Sequence, residues 1–279
     1  MPEGDTIYRT AQALHTHLAG RVVTRFESVF PALTRIDQDR PLAGRTVEQV
    51  ISRGKHILMS FSGDLVLHTH MRMHGSWHGY PPGARWRLPA RDMRVVVATE
   101  EFVAVGFNVP VAELLTSREL ARHEALRALG PDLLDESFDA VAVIARVRAE
   151  GQRAIADVLL NQRVVAGIGN EFKSEVLFAA GIDPFTAASA LADADLVRIL
   201  GIAREMLSAN VRSRLAPTRG RRTRDSLSRD GALWVYGRGG KPCRKCGAPI
   251  QAKKTGLDAR LTYWCPFCQP STGRSPSIR

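Results

Sequence analysis

The sequence predicts an α+β protein with a β-rich front lobe, a helical second lobe and a small C-terminal metal knuckle. Three observations support this. Residues 21–110 hold short β-rich runs broken by turns, residues 111–211 show helical spacing of apolar residues, and two Cys-x-x-Cys pairs lie near the C-terminus. The expected boundaries are 1–120 for a helix plus an antiparallel β-sandwich or barrel, 121–230 for the helical lobe and 231–279 for the knuckle. With 279 residues, 44% of them hydrophobic, the chain can bury a core in one large domain or two ordinary ones.

The first element is a helix, because Ile7, Ala11, Leu14 and Leu18 recur at steps of four, three and four, and Gly20 ends the pattern. Six strand-like runs follow: Val22 to Val29, Thr46 to Ser52, His56 to Phe61, Leu65 to His70, Met93 to Ala98 and Phe102 to Phe107. Gly63-Asp64 between two of them is a hairpin signal. From about Val111 the pattern turns helical, with candidates at Leu114 to Leu129, Phe138 to Glu150, Arg153 to Leu160, Glu171 to Ala180 and Leu191 to Val211. Seven arginines between Arg212 and Arg229, among Ser, Thr, Gly and Pro, lack apolar periodicity and read as a basic loop.

A formal charge of +11 and a pI near 10.1 favour a polyanionic partner such as nucleic acid, since each neutralised phosphate releases counterions. A merely soluble basic surface and an anionic membrane surface stay open on composition alone. Membrane insertion is not supported, because the longest apolar runs fall far short of the roughly 20 residues that span a bilayer. The start Met-Pro-Glu-Gly-Asp-Thr has no basic segment leading into an apolar one, so an intracellular, cytoplasmic protein is expected.

Cys243-x-x-Cys246 and Cys265-x-x-Cys268, eighteen residues apart, have the spacing of two knuckles around one tetrahedral zinc. Four thiolates fill every position, which points to one structural ion with no site for a reactive water. Arg244, Lys245, Lys253, Lys254 and Arg260 in and between the knuckles supply cations for phosphate.

Pro2 follows the initiator Met, which is normally removed before a small residue. Processing exposes a secondary amine whose reference pKa of roughly 7.7 to 8.0 lies well below the lysine value of roughly 10.4, so more of it is free base at neutral pH. Such an amine can attack an anomeric carbon and form an iminium, with Glu3 beside it as general acid. A Pro-Glu start alone is weak, because proline is common at this position.

Together, Met1-Pro-Glu-Gly4, Lys55, the Gly167-Ile-Gly-Asn170 turn and the four-cysteine finger resemble the formamidopyrimidine-DNA glycosylase and endonuclease VIII family over essentially the whole chain. The resemblance implies a β-sandwich lobe, a helix–two-turn–helix lobe and a zinc finger, with damaged DNA between the lobes and a monomer as the working unit. It implies Pro2 as nucleophile, Glu3 as acid and base, and Lys55, His70, Asn170 and Arg260 as contacts to the DNA backbone. Singly, these would read as a surface lysine, a packed histidine, a helix start and a surface arginine. At Asn170 the exposed amides and dipole of a helix opening near Glu171 suit a phosphate. A guanidinium at Arg260 suits bidentate phosphate contact. Base extrusion leaves a void, for which Met73 resembles the family's wedge, with Arg72 and His74 beside the opposite base.

The chain departs from the formamidopyrimidine branch at Phe102-Val-Ala-Val-Gly-Phe-Asn-Val-Pro110, where an Arg-Arg-Phe-Gly segment is absent. That shifts the expected substrate toward oxidised pyrimidines. Thr6 stands where relatives carry a second glutamate, so that carboxylate's duty is either unfilled or reassigned, with Asp5 the candidate to take it. The implied activity is glycosylase and lyase together, with β,δ-elimination and without nucleotide or magnesium. The alternatives are an oxidised-purine glycosylase, a non-catalytic zinc-finger DNA-binding protein and a ribbon-type RNA-binding protein.

Overall fold

A computed structural model describes residues 2–212, 233–256 and 259–271. The chain divides into two compact units, Met1–Ala128 and Leu129–Arg279.

The first unit opens with α1 (Gly4–Leu18), whose buried face is the expected Ile7, Ala11, Leu14 and Leu18 together with Gly4 and Asp5. Extended Ala19 and then Gly20 at φ 78° end it. The helix packs on β2 (Val47–Arg53) and β3 (His56–Phe61), and the Val50 amide donates to His15 Nδ1 at 3.1 Å. Adding β4 (Leu65–His70) and β8 (Val111–Leu115) completes a four-stranded antiparallel sheet in the order β2-β3-β4-β8. The second antiparallel sheet has the order β1-β6-β7-β5, from β1 (Arg25–Ser28), β6 (Met93–Ala98), β7 (Val103–Phe107) and β5 (Ser76–Tyr80). One hydrophobic cluster joins Leu14 and Leu18 to Met59, Phe61 and Leu67 of the first sheet and Val95, Val97 and Ala104 of the second. The two sheets therefore form a sandwich over a shared core, each fully buried Leu, Ile or Val contributing about 1.5–3 kcal/mol.

Three elements here differ from expectation. The helical reading from Val111 is wrong: Val111–Leu115 is a strand on the edge of β4, followed only by the short helices α3 (Ser117–Arg122) and α4 (Glu124–Arg127). Burial of Ala112 and Leu114, alternating with less buried Val111, Glu113 and Leu115, is a period of two that the open hydrogen-bonding edge of β4 selects. The strand β5 and the helix α2 (Pro31–Asp39), with Pro31 in its first turn, were not anticipated.

The second unit holds α5 (Ala140–Ala149), α6 (Ile155–Leu160), α7 (Asn170–Ala180) and α8 (Asp193–Arg212), within a few residues of the expected spans. Asp139 caps α5 by accepting from the Ala142 amide at 3.0 Å, and Gly181 ends α7 in the left-handed region at φ 68°. Ile155, Leu159, Phe172, Val176, Leu177, Ile199, Leu200 and Leu207 share the helical core. The hairpin of β9 (Gln251–Thr255) and β10 (Arg260–Trp264) belongs to the same unit, and Phe178 of α7 packs with Val235, Cys243, Ile250 and Cys265. Of the arginine-rich stretch 212–229, Arg212 ends α8 and the remainder lies outside the described residues. Among the described residues no helix is long and apolar enough to cross a membrane.

Candidate active site and metal centre

In the first unit Pro2 is half-buried and Glu3 is fully buried. Glu3 is extended at φ −123°, ψ −176°, and its carbonyl accepts the Ile7 amide at 3.0 Å, so helix α1 begins directly behind it. A carboxyl group buried this close to a chain end is costly unless its surroundings hold it. Asp5 is also buried, and the Thr6 hydroxyl donates to its Oδ1 at 3.3 Å. The pair thus occupies the first turn together.

Lys55 sits in the two-residue loop Gly54-Lys55 between β2 and β3, where Arg53 pairs with His56 and Gly54 takes φ 58°. His70 ends β4 opposite His56, with ring centroids 4.6 Å apart. The Arg72 amide donates to His70 Nδ1 at 3.0 Å, which leaves the ring proton on Nε2. Burial, then the Arg72 and Lys55 cations, hold His70 down at about 4, so the ring is neutral at pH 7. Burial foremost, helped by the neighbouring His70, His68 and His123 rings, holds His56 at about 3.

The chain after His70 makes a tight turn in which the Gly75 amide donates to the Met71 carbonyl at 2.9 Å. Met71 anchors it in the core, while Arg72, Met73 and His74 are all exposed, Met73 to 55%. Met73, the expected wedge, therefore stands at the exposed tip of this turn rather than in the core. The link from β7 to β8 is only residues 108–110, and its Val109 is fully buried.

In the second unit the turn before α7 is not exposed as expected: residues 167–170 are all buried. Gly169 is the N-cap and Asn170 the first helical residue. Asn170 Nδ2 donates to the Leu261 carbonyl at 3.0 Å, which ties it to the strand that starts with Arg260. Lys173, 0% exposed, donates to Asn170 Oδ1 and to Thr262 Oγ1, both at 2.8 Å. Glu175, equally buried, accepts the amides of Trp234, Val235 and Tyr236, each at 2.8 Å. Helix α7 is therefore the strut on which the finger is mounted. Arg260, half-buried, lines a depression with Arg153, Asp157 and Asn161.

Cys243, Cys246, Cys265 and Cys268 converge, with Sγ atoms 3.9 Å apart for Cys243 and Cys268 and 3.4 Å for Cys246 and Cys265. All four are free thiols rather than disulfides. Four sulfur atoms all within 4.8 Å of one another are a soft donor set that fits one structural zinc.

Sequence reasoning missed Lys173, Glu175 and Thr262. A charged residue inside an apolar helix is a weak signal of burial, and its partner lies up to 89 residues away. It also missed a group on the first sheet. His68 Nδ1 lies 2.8 Å and His123 Nε2 3.0 Å from Glu113 Oε2, and His56 Nδ1 lies 2.8 Å from His68 Nε2.

Residues 1–109 match the family model of the formamidopyrimidine-DNA glycosylase N-terminal domain, 129–219 that of the formamidopyrimidine-DNA glycosylase H2TH domain, and 240–270 the zinc finger found in FPG and IleRS. A probable endonuclease 8 2 of Streptomyces coelicolor is 40% identical, covering 100% of this chain and 98% of its own. The DNA-(apurinic or apyrimidinic site) lyase Nei2 of Mycolicibacterium smegmatis is 36% identical over 98% of this chain and 100% of its own. Among solved structures, MutM in complex with DNA containing carbocyclic 8-oxo-G superimposes with a TM-score of 0.81 at 25% identity, over 97% of this chain and 100% of that one.

Proposed function

Because the chain belongs to the formamidopyrimidine-DNA glycosylase and endonuclease VIII family, we propose that it is a DNA glycosylase and apurinic/apyrimidinic lyase of base excision repair that acts on oxidised bases, mainly pyrimidines. The observation that carries the reading is the fully buried Glu3 carboxyl immediately after Pro2.

With Met1 removed, the Pro2 nitrogen attacks C1′ of the damaged nucleotide. The bond to the base breaks as Glu3 gives the departing base its proton; the resulting carboxylate takes the Pro2 N–H proton and passes it to O4′ as the C1′–O4′ bond breaks, leaving an iminium on Pro2. The iminium acidifies the C2′ hydrogen; its removal expels the 3′ phosphate, and a second elimination expels the 5′ phosphate. Lys55, neutral His70, Asn170 and Arg260 hold phosphates around the lesion, and Arg72, Met73 and His74 fill the void left by the extruded base. Zinc takes no step; it shapes the finger that carries Arg260. A pyrimidine preference is supported by the β7–β8 link, too short and too buried at Val109 to offer further wedge residues.

Borohydride trapping on a duplex bearing an oxidised pyrimidine tests the assignment. The expected product is a covalent adduct on the N-terminal peptide, starting at Pro2. No adduct, or one mapped to another residue, rejects the nucleophile. A mature protein that keeps Met1 would favour the non-catalytic DNA binder instead. Side-by-side excision of oxidised pyrimidines and purines decides the preference.

A further inference from the structure

We propose that His68, Glu113 and His123 form a second metal site, for a divalent transition cation such as zinc, separate in position along the chain and in ligand chemistry from the four-cysteine cluster. Two imidazole nitrogens and one carboxylate oxygen lie within 4.8 Å of one another, both nitrogens meeting Glu113 Oε2. His68 on β4 and Glu113 on β8 are direct cross-strand partners, and their neighbours Leu67 and Leu114 point the opposite way, into the core. His123, between α3 and α4, closes the third side.

The separations of 2.8 and 3.0 Å to Glu113 Oε2 are hydrogen-bond lengths. Bonds of about 2.0–2.2 Å to a tetrahedral zinc would place such ligands about 3.3–3.5 Å apart, an opening of a few tenths of an ångström that side-chain rotation supplies. A His-His-carboxylate set leaves the fourth position to water, unlike the closed sulfur site.

The surroundings suit ligation. The other ring nitrogen of His68 is held by a neighbour, Nε2 lying 2.8 Å from His56 Nδ1, while Nδ1 of His123 is buried without a hydrogen-bond partner. With a cation on Nδ1, the His68 proton moves to Nε2 and donates to His56. The His68 side chain is 1% exposed while that of Glu113 is 43% exposed, so the set is rigid on one side and open to entry on the other.

The test is native mass spectrometry of the full-length, zinc-loaded protein equilibrated with added Zn²⁺, beside the variants His123→Gln and Glu113→Gln. Wild type is expected to carry two metals per chain and each variant one, with the retained four-cysteine zinc as an internal check on folding. Co²⁺ added to the zinc-loaded protein is expected to give weak visible bands without thiolate-to-metal charge transfer, at least tenfold reduced in apparent affinity by either variant. A single metal in wild type, or a second one that both variants keep, overturns the proposal.

Discussion

Glutamine at position 175 is expected to release the segment leading into the finger from helix α7, although it differs from glutamate only by an amide for an oxygen. Glu175 Oε1 accepts from Val235 and Tyr236, and Oε2 accepts from Trp234, each at 2.8 Å and with no exposure of the side chain. Glutamine keeps one acceptor for two of these amides and turns an NH2 group toward the third, leaving donor against donor. Hydrogen bonds to a charged acceptor contribute about 1.5–3 kcal/mol, and a buried donor left unpaired costs about 1–3 kcal/mol, so a total near 3–5 kcal/mol is expected. At about 1.4 kcal/mol per tenfold, even the lower bound raises local opening by about 100-fold. Hydrogen exchange followed by mass spectrometry on the peptide covering 233–238 reads this directly, without requiring the two units to unfold together. Exchange in Glu175→Gln within threefold of wild type would refute the argument that three amides hang on this carboxylate.

Lys173→Met removes the buried donor to Asn170 Oδ1, while the Thr262 hydroxyl keeps Thr255 Oγ1 at 2.7 Å, and is expected to cost about 1–3 kcal/mol in urea unfolding, with weaker binding to abasic-site DNA; an unchanged urea midpoint would count against the strut. Removing zinc with a chelator is expected to abolish exchange protection across the finger while peptides of α1 and β4, in the other unit, stay protected; a protected zinc-free finger would contradict a structural role. A Cβ at Gly75 would lie 2.6 Å from the Met71 carbonyl oxygen and 2.9 Å from its Cα, both backbone, so Gly75→Ala is expected to lower stability by about 1–3 kcal/mol and to disturb the turn that presents Met73. Gly201, inside α8 with nothing within 4 Å of its Cβ position, is the opposite case: Gly201→Ala is expected to raise the thermal midpoint through about 0.5–1 kcal/mol of helix stabilisation.

What the amino-acid sequence determined by itself is whatever is encoded within a few neighbouring residues. The steps from Ile7 to Leu18 specified α1, runs such as His56 to Phe61 and Leu65 to His70 specified β3 and β4 to the residue, and the paired Cys-x-x-Cys motifs specified the zinc cluster. Each is a local period or spacing, set by backbone geometry. The resemblance over the whole chain then carried the family.

The tertiary structure decided what depends on partners distant in the chain. Val111–Leu115 is too short for its periodicity to choose between helix and strand, and the unpaired edge of β4 made the choice. The side-chain Nδ2 of Asn170 donates to the Leu261 carbonyl, 91 residues on, a contact that the Gly-Ile-Gly-Asn turn does not foretell. Glu175 reaches amides some 60 residues away, and His68 meets Glu113 across 45. A polar side chain that would be solvated on an isolated element becomes a buried connector only when two elements close over it, because removing it from water is tolerable only against a hydrogen-bonding partner. Where that partner sits is a property of the packed chain, and no pattern along the sequence records it.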